Sequence, residues 1–508
     1  MKGEKRGGKE QIFHPPPLPP PTMSVNTTTT IPYTFLPIIK DLQSSDSLHQ
    51  LLFIDLPTCP GGGTLISHLA QRALHAILNV TTTTTSSSVT VVVDALMEAT
   101  WEKIHLGIWH TVPVIWREAY SLACLLHASS LLTFTQGEGH RYRNGSTTNN
   151  SQEALRMMDL AAIMGGPTLM RPYVDIFITL LYDICTDGTT SKNTGDSGTG
   201  GSEEEAMEKK MVQWQQTKTE EELHSLIPKR SLSSSAAFHQ IQTDHLPSLE
   251  AFAHKYMPGY NNSNNNNNNS SSSEGQPVIV TGVLDSWPAL ELWKHPSYLI
   301  HKAGNRTIPV EVGSHYVDEE WGTRLMTVAE LLDRSHMIDS GNTIDNDSGN
   351  TAKKVHYLAQ HALFDQIRCL RSDIIQPDYC SLGTDTPTVN AWIGPGGTIT
   401  PLHTDPHHNL LCQVIGRKYI RLYPPSASSG MYPHQDGLLT NTSQIIDIEN
   451  NGGEGDNNNK EEERYPEFRK QQWMECVLKP GDVLYIPPLW WHYVKSLETS
   501  ISVSWWWQ

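Results

Sequence analysis

The chain has 508 residues, of which 38% are hydrophobic and 18% charged, both below the usual share for a wholly folded protein. The deficit sits in Thr, Ser, Asn, Gly and Pro tracts, so the length predicts two or three domains separated by unstructured segments. Lys and Arg number 37 against 54 Asp and Glu, a net charge of −17, which argues against a general nucleic-acid-binding surface and suits a basic peptide partner. The seven cysteines are scattered, with no C-x-x-C pair. That pattern argues against a disulfide framework and against a structural zinc site. The start, MKGEKRGGKEQIFHPPPLPPP, lacks the apolar stretch of a secretory signal, and no run reaches the roughly 18 apolar residues of a membrane span. The expectation is a soluble protein of a reducing compartment, the cytosol or the nucleus.

Residues 1–32 are rich in Pro and Thr and read as a disordered tail. Helical periodicity follows over 33–185. Met97, Trp101, Ile104 and Ile108 fall on one face, and Trp116, Tyr120 and Cys124 continue at steps of four. VTTTTTSSS (80–88) reads as a loop, and Gly165-Gly166-Pro167 separates a helix over 153–164 from one over 174–182. The aromatic stripe predicts the core of stacked helical hairpins. A polar, then acidic linker is predicted over 186–225.

From 226 to 508 the pattern changes to short strands: PVIVTGV (277–283), TVNAWIG (388–394), LLCQVIG (410–416), KYIRLYP (418–424), MECVLKP (474–480), DVLYIPP (482–488) and SISVSWW (500–506). Gly, Pro or Asp bounds each one, as antiparallel strands require. Polar inserts near 261–273, 338–353 and 449–463 read as loop tips. The fold class is α+β: a C-terminal double-sheet jelly roll or small barrel behind an N-terminal all-helical domain.

The chemistry concentrates in TITPLHTDPHHNLLCQVIGRKYIRLYPP (398–425). His403 and Asp405 are two apart, so in an extended chain both project to one face. His492, directly after the strand DVLYIPP, offers a third ligand. Two His and one carboxylate on one face form the facial triad of non-haem Fe(II) oxygenases, with cis positions open for co-substrate and dioxygen. His434-Gln435-Asp436 repeats the H-x-D pattern but reads as a turn, where the two side chains need not share a face. His407 and His408 read as exposed loop residues, since the triad is complete without them.

Lys418 lies 15 residues past His403, on the next strand of a predicted hairpin. A lysine inside an apolar strand pair is costly unless paired; the far carboxylate of 2-oxoglutarate would pair it. A solvent-facing strand lysine is the ordinary alternative. The terminal SVSWWWQ is predicted to be a closing strand with alternate Trp residues facing inward.

Taken together, TPLHTDPHHN, GRKYIRLYPP, LKPGDVLYIPPLWWHYV and SISVSWWW resemble the JmjC-domain 2-oxoglutarate oxygenases, and more narrowly the JmjC domain-containing protein 5 subgroup. EVGSHYVDEEW (311–321), YLAQHALFDQI (357–367), PDYCSLG (377–383) and VNAWIGPGGTITPLH (389–403) support the resemblance, which covers nearly all of 275–508. WEKIHLGIWHTVPVIWREAYSLACLL (101–126) carries it into the helical half. The resemblance implies a double-stranded β-helix, a cupin-like JmjC barrel. It implies Fe(II) held by His403, Asp405 and His492, and 2-oxoglutarate as co-substrate with dioxygen. Lys418, Tyr316 and Thr400 would hold its distal carboxylate, Asn409 would join that pocket, and Trp392 and Trp506 would wall the site.

The substrate implied is a protein or peptide with a basic side chain. Two outcomes are open: arginyl hydroxylation, or demethylation of methyl-lysine, as in a histone H3 tail. A hydroxylated N-methyl group falls apart, so one site supports both. The resemblance also implies a nuclear location and a role in chromatin and transcription regulation or plant-type circadian timing, without direct nucleic-acid binding. Two other readings stand beside it: a silent scaffold that recruits partners through its helical half, and a cupin-type metalloenzyme that needs no 2-oxoglutarate. The intact ligand set counts against the first, and Lys418 and Tyr316 against the second.

Overall fold

The computed structural model describes residues 35–79, 86–106, 111–133, 146–190, 222, 225–226, 238–259, 274–313, 322–335, 354–435, 439–445, 448 and 465–508. The predicted tail, most of the predicted linker, the three polar inserts and Tyr316 lie outside these residues.

The N-terminal half is helical, with principal helices Leu36–Ser44, Gly63–Leu78, Ser86–Ile104, Val114–Thr133, Ser146–Met164 and Arg171–Thr190. Val114–Thr133 is buried over most of its circumference and packs against the helices on either side. Its Glu118 carboxylate is buried, and accepts from the amides of Thr168, Leu169 and Met170 and from the Thr168 hydroxyl. That locks the turn between the last two helices, where the Gly165-Gly166-Pro167 break was expected. The last helix runs to Thr190, five residues past the predicted end of this half.

Two expectations need correction. The helix Ser86–Ile104 begins inside the segment read as a loop, so the interruption is shorter than 80–88. Its buried stripe is Val89, Val93, Leu96, Thr100 and Ile104, whereas Trp101 is 43% exposed. Thr100 satisfies its hydroxyl on the Leu96 carbonyl at 2.8 Å, which lets a polar residue take a core position. Trp101 instead lies against the His105 ring, with centroids 3.8 Å apart and planes tilted by 35°.

The C-terminal half has fourteen strands among the described residues: β1 (Phe238–Gln240), β2 (Thr243–His245), β3 (Val278–Thr281), β4 (Thr307–Gly313), β5 (Gly322–Thr327), β6 (Val355–His361), β7 (Thr388–Gly394), β8 (Ile399–His403), β9 (His408–Ile415), β10 (Lys418–Tyr423), β11 (Trp473–Leu478), β12 (Val483–Ile486), β13 (Trp491–Ser496) and β14 (Ser500–Trp507). All seven strands predicted from composition are present. The minor sheet has the order β1-β11-β10-β13-β8, and the major sheet β2-β3-β12-β9-β14-β7-β6-β4-β5. The chain passes back and forth between β7, β9, β12 and β14 of one sheet and β8, β10, β11 and β13 of the other. This is a double-stranded β-helix. Two edge pairings, β1 with β11 and β2 with β3, are parallel rather than antiparallel.

The topology corrects the predicted hairpin at Lys418. β9 and β10 do not pair; the chain turns a corner at Gly416-Arg417 and changes sheet. Gly416 is left-handed (φ 71°), and a Cβ there would sit 2.1 Å from the Thr499 carbonyl oxygen, so the corner needs glycine.

Strand sequence follows position. β14 alternates: Ile501, Val503, Trp505 and Trp507 pack into the core shared with Phe252 and Trp293 on the helix-covered face, while Ser502 donates to Gln413 and Trp506 faces the barrel interior. β10 is buried along its whole length, because Ala427, Met431, Ile445, Ile448, Tyr465 and Phe468 supply a second apolar layer outside the minor sheet. All seven cysteines are free, and among the described residues no helix is long and apolar enough to cross a membrane.

Candidate metal and co-substrate site

His403 ends β8, and the β8–β13 register sets it directly opposite His492. The two rings lie 4.0 Å apart between centroids. Asp405, two residues past the strand, brings Oδ2 to 3.8 Å from His403 Nε2 and 3.5 Å from His492 Nε2. One ligand atom from each residue falls within 4.8 Å of the others. The expected i, i+2 convergence therefore occurs, though Asp405 has already left the strand.

Backbone contacts hold this geometry. His403 Nδ1 lies 2.8 Å from the Pro401 carbonyl, and His492 Nδ1 lies 2.9 Å from the Trp490 carbonyl. A carbonyl only accepts, so each ring donates from Nδ1 and presents Nε2 to the centre. The Asp405 carbonyl accepts from the Leu489 amide at 2.7 Å, and Leu489 is left-handed with φ 65°. Thr404 and Asn441 bond in both directions, each at 2.9 Å.

Charge states suit a cation. Burial, with His492 adding to it, pushes His403 down to about 4, so it is neutral near pH 7. Burial pushes the Asp405 carboxyl up, but the neighbouring His492 and the other imidazoles outweigh it and hold the group below its usual value. Two imidazole nitrogens and one carboxylate on one side of the centre fit a divalent iron with open positions.

A cavity opens beside the triad, lined in addition by Thr400, Lys418, Asn409 and Trp506 and by the walls Tyr357, Trp392, Leu411, Ile486 and Val494. Lys418 opens β10 and is 2% exposed. Among the described residues no carboxylate pairs with it, and burial pushes its ammonium from 10.5 down to about 7. Asn409 Oδ1 and Trp506 Nε1 are also buried without a partner among the described residues.

Comparison with known proteins agrees with this architecture. Residues 264–508 match the Cupin-like domain family, and residues 62–194 match the KDM8-like N-terminal ARM repeats. The lysine-specific demethylase JMJ30 of Arabidopsis thaliana is 36% identical over 418 residues, covering 82% of this chain and 85% of that protein. Lysine-specific demethylase 8 of Danio rerio is 37% identical over 418 residues (81% and 86%), and the Jumonji C domain-containing protein 5 of Drosophila melanogaster is 31% identical over 470 (91% and 98%). The chain belongs to the JmjC domain-containing protein 5 family. As a member it is an Fe(II)- and 2-oxoglutarate-dependent oxygenase.

In this JmjC protein eight of the nine anticipated site residues line one cavity; the ninth, Tyr316, lies outside the described residues. Tyr357 of β6 is a residue that sequence reasoning passed over. It lines the same cavity as Thr400. Its ring fills the space beside Gly394, where a Cβ would come within 2.6 Å of it. It stands at the start of YLAQHALFDQI, a stretch noted for resemblance alone.

His407 and His408 are not exposed, contrary to expectation. His407 stacks on Trp506 at 5.6 Å. His408 opens β9, stacks on Trp507 at 5.3 Å and places Nδ1 2.8 Å from the Tyr485 hydroxyl; burial pushes it down to about 4. Both are part-buried and outside the three-residue cluster. His434 pairs backbone with Thr442, and Asp436 lies outside the described residues.

Proposed function

We propose that His403, Asp405 and His492 hold Fe(II), that Lys418 and Thr400, with Tyr316, take the distal carboxylate of 2-oxoglutarate, and that the substrate is a basic side chain of a protein. Lys418 carries this reading. A buried ammonium without a carboxylate is costly, and here it lies in the same cavity as the three ligands. A dicarboxylate chelating at the triad and ending at Lys418 removes that cost. When bound, iron and co-substrate supply the oxidative chemistry: dioxygen oxidises 2-oxoglutarate to succinate and carbon dioxide, and a substrate C–H bond to C–OH.

The chain supplies positioning. The Nδ1 bonds of both histidines fix where Nε2 points, and Asp405 stays ionised to offset the metal's charge. Trp392, Leu411, Ile486 and Val494 exclude water. Asn409 Oδ1 and Trp506 Nε1 remain to orient whatever enters.

Of the two outcomes, we favour arginyl hydroxylation, because flat aromatic walls suit a planar guanidinium. The demethylase names borne by the relatives support the second, removal of methyl groups from lysine, and with it a nuclear role on histone tails in chromatin and transcription regulation. The net charge of −17 suits either basic substrate.

The test is succinate release on admitting oxygen to anaerobic protein with Fe(II), 2-oxoglutarate and candidate peptides, with His403→Ala as control. Turnover lost in the variant is expected. A peptide gain of about 16 Da marks hydroxylation, and a loss of about 14 Da demethylation. No turnover, and no iron-dependent binding of 2-oxoglutarate, would leave the scaffold reading.

A further inference from the structure

Asp159 belongs to the helix Ser146–Met164, outside the barrel, yet its carboxylate is fully buried against the catalytic half. Oδ1 accepts from Arg306 Nε at 2.9 Å and Nη2 at 2.6 Å, and Oδ2 accepts from the Thr307 amide at 2.7 Å. Gln366 Nε2 donates to Asp159 Oδ1 at 3.1 Å and to the Thr307 carbonyl at 2.7 Å. Gln366 Oε1 lies 2.6 Å from His361 Nε2. An amide oxygen only accepts, so His361 donates. Arg306 Nη2 donates in addition to the Gln366 carbonyl at 3.0 Å.

The network thus joins a helix of the N-terminal half to the first residue of β4 and the last residue of β6. A buried ion pair adds little net stability over apolar packing; what it adds is a fixed geometry. The geometry fixed here is unusual. β6 slips register against β7 between Leu358 and His361, and Gln360 is left-handed with φ 45°. A non-glycine residue holds such a conformation only where its surroundings enforce it. The His361–Gln366 bond fastens the strand directly after that residue. Before the slip, the same strand carries Tyr357, which meets Thr400 in the cavity.

We propose that Asp159 is a positioning residue for the co-substrate pocket: through Arg306 and Gln366 it sets β4 and the irregular end of β6, and so holds Tyr357 against Thr400. The inference rests on the reading of Thr400 and Lys418 as the 2-oxoglutarate clamp. It makes the helical half part of the working site, with no contact of its own to the cavity.

The test uses the full chain with Asp159→Asn, and with Arg368→Ala as control. Arg368 bridges the same two halves to Asp175 at 2.9 Å from an exposed position and makes none of the bonds of the Asp159 network. Asn keeps the shape of Asp but loses the charge and turns one acceptor into a donor facing an amide. Expected in Asp159→Asn are amide exchange over 355–361 faster by about tenfold without co-substrate, and affinity for 2-oxoglutarate with Mn(II) weaker by about tenfold. Exchange in β8 and β13 and affinity for Mn(II) alone should hold, and Arg368→Ala should match wild type.

Unchanged 355–361 exchange and unchanged 2-oxoglutarate affinity, with only a lower Tm, would overturn the proposal and leave Asp159 an anchor. If Asp159→Asn does not fold, His361→Phe removes the donor to Gln366 alone; unaltered 2-oxoglutarate affinity there overturns the proposal equally. Wild-type protein that binds no 2-oxoglutarate would refute the clamp itself. That outcome is separate from one in which wild type binds and Asp159→Asn binds as well.

Discussion

Replacing Lys418 with Met tests the site through folding and binding together. Burial lowers the ammonium from 10.5 to about 7, and each pKa unit is worth about 1.4 kcal/mol. Keeping Lys418 in the empty cavity near neutral pH therefore costs on the order of 4 kcal/mol. Met has similar length and no charge, so the variant without co-substrate should be more stable than wild type by about 2–4 kcal/mol, raising Tm by several degrees. The sign follows from the direction of the shift. Between about 7 and 10.5 the folded chain binds fewer protons than the unfolded chain, so wild-type stability rises with pH across that window. The advantage of the variant should be largest below about pH 7 and should close towards pH 10.5. Thermal unfolding of both proteins across that range measures it. Titration with 2-oxoglutarate and Mn(II) should show affinity reduced by about a hundredfold, the loss of a charge-assisted contact. A variant less stable at every pH, with 2-oxoglutarate affinity intact, would refute the reasoning: the ammonium would then be held by a group of the chain itself.

Two further outcomes follow from the same structure. Binding of a dicarboxylate at Lys418 should raise its pKa from about 7 and draw in a proton, so affinity for 2-oxoglutarate should fall by about tenfold per pH unit above pH 7. Calorimetry in buffers of different ionisation enthalpy reads that uptake, and affinity flat across this range would count against it. Deleting Trp505 to Gln508 removes three indoles, two of them 1% and 0% exposed, together with the last β14 pairings to β7 and β9. Each buried Trp is worth about 3–5 kcal/mol, against about 5–15 kcal/mol for a whole domain. The truncated chain should not fold to soluble protein, and a soluble truncation that binds metal would contradict this.

Much of the site was legible because its chemistry is carried by residue types that are costly elsewhere. A lysine opening an apolar strand, and His and Asp two apart before another, needed an explanation that packing could not give. The seven composition-based strands were found because each is a short apolar run or alternation bounded by Gly, Pro or Asp. β4 and β6 were passed over for a matching reason: TIPVEVG and VHYLAQH mix polar residues into their strands, and β6 turns Tyr357 to the cavity. Tyr357 was hidden with them. The stripe on the helix Ser86–Ile104 was misplaced by one position, since Thr100 can bury its hydroxyl on its own helix whereas the large Trp101 is stable half in solvent. The β9–β10 hairpin was misjudged because a turn sequence does not show whether the chain stays in one sheet. No local pattern could have indicated Asp159, whose partners lie 147 to 207 residues away.

The two sheets divide the labour of the site. His403, His492, Thr400 and Lys418 all stand on the minor sheet, with Asp405 just beyond it. Trp392, Asn409, Leu411, Ile486, Trp506 and Tyr357 all come from the major sheet. One sheet therefore carries the charged groups that would hold metal and co-substrate; the other carries the walls, Val494 of β13 excepted, and the unspent polar atoms. The minor sheet is sandwiched between apolar layers on both faces, which fixes its ligands independently of the helical half. The major sheet extends through β6 and β4 to Asp159. Substitutions on the minor sheet should thus abolish metal or co-substrate binding outright, while those along β7, β14 and the Asp159 network should alter affinity and specificity with the metal site intact. On this reading, a helical half attached to the wall-bearing sheet can adjust substrate and co-substrate fit without disturbing the residues that would hold the metal.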